Sequence, residues 1–369
     1  MTRKPETPLR RGWTTGACAT ASARAAFAAL HTGAFADSVT IRLPRGERPT
    51  FALTDCVLGH DAAGPFAVAG VVKDAGDDPD VTHGVTVLVT VRPGAAGTGV
   101  TFHAGDGVGT VTKPGLPLAP GEPAINPAPR AMIAGALGDA AEELDVACDA
   151  DVTVSIPGGA EIATQTWNPR LGILGGLSIL GTTGIVIPYS CSAWIHSIHR
   201  GVDVARHTGV THIAGATGKT SEASVKAAFG LDDGALIDMG DFAGGLLKYL
   251  RSHPVPRLTI AGGFAKLTKL AQGDLDLHSA RSQVDFDRLA RVASGLASGL
   301  ADVSADEIEV RIRNANTAAE ALEIASGLPL ADVIAAQARG VALATLAGGV
   351  TVDVFVVDRQ GGRIGYAGP

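Results

Sequence analysis

Thr211-His212-Ile213-Ala214-Gly215-Ala216-Thr217-Gly218-Lys219-Thr220-Ser221-Glu222 runs from a short apolar strand through a glycine turn into the start of a helix that reaches Phe229. The same order recurs twice downstream. Ala235–Met239 reads as a strand leading through Gly240 and Asp241 into a helix to Arg251, and Arg257–Ala261 as a strand ending in Gly262-Gly263 before a helix from Phe264. Parallel strands need a long connection and a helix supplies it, so this repetition predicts a parallel sheet with crossover helices. Upstream, Ser192–His207 has helical spacing. Downstream, helices are expected at Thr317–Ser326 and Leu330–Leu346, then a hairpin of Val350–Val357 and Arg363–Tyr366 turning at Asp358 to Gly362.

The first half has another texture. Thr14 or Thr15 can cap a helix through Ala17 to Leu30, with Gly33 as its stop. Strand-like runs follow at Val39–Leu43, Phe66–Lys73, Val85–Val91 and Val108–Thr112, divided by Pro, Gly and Asp. A helix is expected over Pro129–Leu144, with strands at Val152–Ile156 and Glu161–Thr166. The reading is therefore two-domain: an α+β domain over residues 1–200, antiparallel in part, and an α/β domain over residues 201–369 with a mostly parallel sheet. The junction is expected within residues 188–210.

Composition narrows the function classes. The net charge of −7 argues against nucleic acid as a partner, because phosphate binding needs clustered basic charge. Hydrophobic residues make up 46% and charged ones 18%, which excludes whole-chain disorder. The 48 glycines among 369 residues are about twice the usual ~7% share, pointing to many close backbone approaches. Cys18, Cys56, Cys148 and Cys191 show no paired or metal-ligand spacing, so reduced thiols and no metal site are expected. No signal-peptide pattern is evident at the N-terminus, so a cytoplasmic protein is expected. Leu171 to Ile195 has no formally charged side chain, yet its glycines and Pro188 make it a poor membrane helix.

Two motif matches fail. Gly218-Lys219-Thr220 ends like a phosphate-binding loop, but the glycine needed five positions before Gly218 is Ile213. Gly172 and Gly175 would belong to a dinucleotide fingerprint only if Arg170 were glycine. What survives is a ligand-binding rim at the C-terminal ends of parallel strands: Gly215, Thr217, Gly218, Ser221, Glu222, Met239, Gly240, Asp241, Gly262 and Gly263. There Ser221 is a candidate N-cap, and Asp241 can accept hydrogen bonds from ribose hydroxyls or cap the next helix. In the first half, Thr14, Thr15 and Gly16 sit at a helix start beside Cys18. A nucleophilic Cys18 is conceivable there, although a packed, inert thiol is preferred. The glycine-rich segments 105–115 and 168–184 suggest backbone lying against a flat ligand; a hairpin turn at Asp106-Gly107 is the alternative. Lys113, Arg130, Arg170, Lys219, Lys266 and Lys269 are basic candidates for an anionic ligand.

Together these blocks resemble the CbiD family of cobalt-precorrin-5B (C1)-methyltransferases along almost the whole chain. The resemblance rests on Leu9-Arg10-x-Gly12-Trp13-Thr14-Thr15-Gly16-x-Cys18-Ala19, on Gly105 to Leu116, and on Gly121-Glu122-Pro123-Ala124-Ile125-Asn126-Pro127. It continues through Asn168 and Leu171 to Gly184, Thr217-Gly218-x-x-Ser221-Glu222, Met239-Gly240 and His278-Ser279. It implies methyl transfer from S-adenosylmethionine to C1 of a tetrapyrrole in corrin biosynthesis, converting (cobalt-)precorrin-5B to (cobalt-)precorrin-6A. On that footing the rim of the second domain is expected to hold S-adenosylmethionine. Thr14, Thr15, Gly16, Lys113, Asn168, Ser178, Thr182, Thr183 and Ser279 are expected to hold the tetrapyrrole. Asp106 or His278 would move a proton or orient the ring near C1. Methyl transfer to an electron-rich carbon needs alignment and exclusion of water rather than an activated nucleophile, which suits a chain offering no triad. A non-catalytic tetrapyrrole carrier and a nucleotide-dependent kinase are the alternatives. Oligomeric state is open, a homo-oligomer included.

Overall fold

The computed structural model describes residues 8–298 and 304–369, and the chain divides into two compact units after Ser190. The expected boundary at residue 200 falls inside one helix, Cys191–His207, whose Ile198, Val202 and Ala205 lie in the core of the second unit. That buried face carries the whole helix into the second unit.

In the first unit five strands pair in the order Thr54–Asp61, Gly64–Val72, Thr86–Pro93, Ala150–Ser155, Val100–Ala104, antiparallel except for the last pair. Val87, Val89 and Val91 alternate inward along Thr86–Pro93, the period of a strand with one face on the core. The helices Thr15–Thr32 and Pro127–Leu144 cover that core. Thr15–Thr32 can approach so closely because its buried face is mostly alanine, and its buried Ser22 hydroxyl donates to the Val87 carbonyl at 3.0 Å. Thr14 caps it, accepting from the Ala17 N–H at 3.1 Å, and Gly33 ends it in the left-handed region at φ 77°.

Two expectations fail in this unit, and two strands go unannounced. Glu161–Thr166 is not a strand: Gly159–Ala163 is a short helix, and the Thr164 and Thr166 hydroxyls donate back to the Glu161 and Ala163 carbonyls. Val108–Thr112 contributes only Thr110–Val111, paired with Ile173–Leu174. Thr54–Asp61 and Val100–Ala104 are strands the pattern does not signal, since Thr54–Asp61 buries none of its residues and shows no apolar alternation.

The second unit holds the expected sheet, in the order Leu236–Asp238, His212–Ala216, Arg257–Gly263, Thr351–Val357, Arg363–Ala367. All pairs are parallel except the closing hairpin. The helix Lys219–Phe229 packs one face, with Ala214, Val225, Ala261 and Phe355. The helices Cys191–His207, Ala243–Ser252, Phe264–Ala271 and Leu330–Leu346 share the large core on the other. The chain therefore leaves His212–Ala216 toward one edge for its next strand and crosses back for the third, so strand order reverses between His212–Ala216 and Arg257–Gly263. Open sheets of this kind bind ligands outside the strand C-termini at such a reversal. Phe286–Ala297 and Ala305–Arg313 are further helices. The charge-free run from Leu171 comprises loop, two short strands and a helix start, and among the described residues no helix is long and apolar enough to cross a membrane.

Candidate functional site

At the reversal point the strand His212–Ala216 runs out into Thr217, whose N–H donates to the Ala261 carbonyl at 2.9 Å. Gly262 lies under the Thr217 side chain, where a Cβ would come within 2.9 Å of it. Gly215 is pressed by Leu246, and Met239 is wholly buried; the Met239 and Gly240 N–H groups both donate to the Ala216 carbonyl, at 2.9 and 3.1 Å. Gly240, at φ 55°, lies 3.3 Å by its would-be Cβ from the Trp194 ring, whose Nε1 donates to the Asp238 carbonyl. Gly215, Met239, Gly240 and Gly262 thus serve internal packing.

Gly218 and Gly263 differ. A Cβ on either would meet nothing within 4 Å, and each directly precedes a helix. Helix starts leave their first N–H groups without intrahelical partners, so both helices bring backbone donors to the rim. Ser221 is not the N-cap: Gly218 is, and the Ser221 hydroxyl, inside the first turn, donates back to the Gly218 carbonyl at 2.9 Å. Glu222 does lie in that first turn. Asp241 does not cap its helix either, which starts at Ala243 after Phe242. It faces Lys266 instead, with 2.9 Å between its Oδ1 and Nζ, while Nζ donates to the Thr217 carbonyl at 3.0 Å. Pattern reading names Lys266 only as a generic base. Its place three residues after Gly263, on the first turn of a rim helix, is the signal that ties it to Asp241.

The Asp241 carbonyl accepts the Leu277 N–H at 2.8 Å, so the loop bearing His278 and Ser279 begins beside Asp241. His278 is exposed, and its Nδ1 accepts the Ala280 N–H at 3.2 Å. The Ser279 carbonyl accepts from the Gln283 amide.

In the first unit the glycine-rich segments knit to one another. Gly109 N–H donates to the Leu177 carbonyl and Leu177 N–H to the Gly107 carbonyl, both at 2.9 Å, and Ala124 N–H donates to Gly109 at 2.8 Å. Gly107, at φ 70°, would put a Cβ 1.9 Å from the Ile156 carbonyl oxygen, and Gly176 would put one 2.3 Å from Gly107. These glycines are required because backbone meets backbone. Asn168 is a buried strut: its side-chain amide donates to Gly176 at 3.4 Å and its Oδ1 accepts the Ser178 hydroxyl at 3.2 Å. Lys113 packs along Gly172 and reaches the Arg170 carbonyl at 3.4 Å. Thr14 and Thr15 are buried, and Gly16 packs on Pro129 and Met132. Gly181 rests against the Thr14 side chain and the Thr14 N–H donates to Gly184 at 2.9 Å, which brings the helix start and the 181–184 turn together. Thr183 Oγ1 accepts the Ile185 N–H at 3.3 Å; Thr182 is exposed, as is Asp106, whose carbonyl accepts from Ile156 at 2.7 Å. Burial pushes the Cys18 thiol up to about 12, more than nearby Lys73 lowers it, so Cys18 is an inert packed residue.

The CbiD family model matches residues 2–188, and the model of the CbiD C-terminal domain matches residues 276–368. The chain belongs to the CbiD family. Among its relatives, a protein of Paramagnetospirillum magneticum named cobalt-precorrin-5B C(1)-methyltransferase is 58% identical over 363 residues, covering 98% of this chain and 99% of its own. A Brucella anthropi protein of the same name is 58% identical over 356 residues, covering 96% and 94%. A solved structure, the cobalamin biosynthesis protein (cbiD) from Archaeoglobus fulgidus, is 28% identical and covers 74% of this chain and 83% of that one, at a TM-score of 0.40.

Proposed function

We propose that this CbiD chain transfers a methyl group from S-adenosylmethionine to C1 of cobalt-precorrin-5B, yielding cobalt-precorrin-6A. The observation that carries this reading is the 58% identity, across nearly the full length of both chains, to a relative bearing that activity as its name. The second unit supports the donor half: its sheet reverses order between Thr217 and Gly263, where open glycine backbone, two helix starts and the Asp241–Lys266 pair lie at one rim. The donor brings its own leaving group, so the C–S electron pair returns to sulfur as C1 supplies the pair for the new C–C bond. The chain's residues then have to bind, orient and exclude water.

We assign the tetrapyrrole to the first unit. Exposed Leu180, Ile187 and Tyr189, on and next to the 168–184 segment, offer apolar contact for a flat macrocycle. Lys113, Thr182, Thr183 and loop N–H groups offer partners for its carboxylates. Asp106 and His278, both exposed, are the candidates for proton handling. A cytoplasmic setting suits the reduced thiols.

The test incubates the full chain with cobalt-precorrin-5B and S-adenosylmethionine and follows the tetrapyrrole by mass spectrometry. Gain of one methyl group is expected. Thermal stabilisation by the tetrapyrrole with no response to S-adenosylhomocysteine, and no methyl gain, would favour a carrier and end the methyltransferase reading.

A further inference from the structure

Trp194, on the first turn of Cys191–His207, reaches the same rim. Ala216 pairs with Asp238 on one side and with Ala261 on the other, so the three parallel strands end level there. The Trp194 Nε1 donates to the Asp238 carbonyl at 3.0 Å. Gly240 backs the ring, its would-be Cβ lying 3.3–3.4 Å from Cζ2, Cε2 and Nε1. Phe242 flanks it, with 6.4 Å between centroids and a tilt of 50°. A hydrogen bond, a glycine backbone and a second ring thus fix the orientation of the indole. It nevertheless stays 44% exposed, and among the described residues of the second unit it is the one exposed Phe, Tyr or Trp.

The indole has a single donor, already taken by Asp238. What it offers at the rim is oriented π surface with no hydrogen bond to give. A sugar hydroxyl or a carboxylate gains nothing from that surface, whereas a flat heteroaromatic ring stacks on it. Resting on the donor-site reading above, we infer that Trp194 is the platform on which the adenine of S-adenosylmethionine stacks.

Calorimetric titration of the full chain with two probes tests this. S-adenosylhomocysteine and 5′-methylthioadenosine share the adenine and ribose, and only the first carries the amino-acid end. Trp194→Ala should weaken both by the same factor, about five- to hundredfold, the scale on which base–aromatic stacking responds to alanine. Trp194→Phe, which keeps a ring, should recover most of the loss. Indole fluorescence gives a second readout: 5′-methylthioadenosine should quench wild-type emission, and the quench should vanish in Trp194→Phe although Trp13 and Trp167 remain. Wild-type affinity of Trp194→Ala for both probes would overturn the platform. So would weakening confined to S-adenosylhomocysteine, or a quench undiminished in Trp194→Phe. Should Trp194→Ala fail to fold, the quench in Trp194→Phe decides. Wild type binding neither probe would remove the donor-site reading itself, and the platform with it.

Discussion

Gly218→Ala separates a glycine needed by a ligand from one needed by the fold. The residue has φ 165° and ψ 172°, extended backbone open to any side chain, and a Cβ there meets no atom within 4 Å. The folded chain opposes the substitution only at the cap: Gly218 is the N-cap of its helix, where alanine is poorer than glycine by roughly 0.5–1 kcal/mol. That cost is offset by about 0.4–1 kcal/mol because alanine restricts the unfolded chain more than glycine does, so stability should stay within about 1 kcal/mol of wild type. Binding should respond more strongly. If the donor lies against this backbone, the added methyl overpacks the contact, a cost of about 1–3 kcal/mol, or roughly five- to hundredfold in Kd. Thermal denaturation and calorimetric titration with S-adenosylhomocysteine read the two effects separately. Gly262→Ala is the internal contrast: its Cβ would meet Thr217 at 2.9 Å, so it should lose stability. Wild-type affinity in Gly218→Ala at unchanged Tm would show that the ligand does not pass this glycine. A loss of more than about 2 kcal/mol, beyond what the cap can account for, would refute the reading of open space.

Gly176→Ala should destabilise the first unit by about 2–3 kcal/mol, since its Cβ would lie 2.3 Å from the Gly107 backbone; an unchanged melting curve would dispute the backbone knot. Asp353 is wholly buried and accepts from Arg257 at 2.6 and 3.0 Å and from the Tyr366 hydroxyl. Burial raises its carboxyl, but those hydrogen bonds outweigh burial and hold it below the ordinary value. The unfolded chain therefore takes up this proton first as pH falls through about 4, so the stabilisation is present above that and lost below. Asp353→Asn should cost about 3 kcal/mol at pH 7, and urea midpoints should converge with wild type on acidification; a gap independent of pH would contradict this. Asp106→Asn and His278→Ala should each lower kcat by roughly ten- to hundredfold if that side chain handles a proton. Turnover within twofold of wild type removes the role.

Where burial writes a period into the chain, the sequence is legible; where backbone packs on backbone, it is not. Val87, Val89 and Val91 announce their strand, and the three strand–glycine–helix repeats announce the parallel sheet, because each element covers one face of a core. Thr54–Asp61 escapes notice because pairing alone holds it, with no buried side chain to set a pattern. The same distinction governs the glycines. Gly107, Gly176, Gly218 and Gly263 look alike as letters, yet the first two are pinned by neighbouring backbone and the last two face open space at a strand reversal. Only the tertiary contact separates those roles. Asp241 shows the same limit from the polar side: its position after a strand marks the rim, but its meaning depends on Lys266, 25 positions later, being folded against it. Reading such a pair from sequence requires knowing that the strands Leu236–Asp238 and Arg257–Gly263 flank the same strand, His212–Ala216, which the order of strands in the chain does not reveal and the reversal of the sheet does.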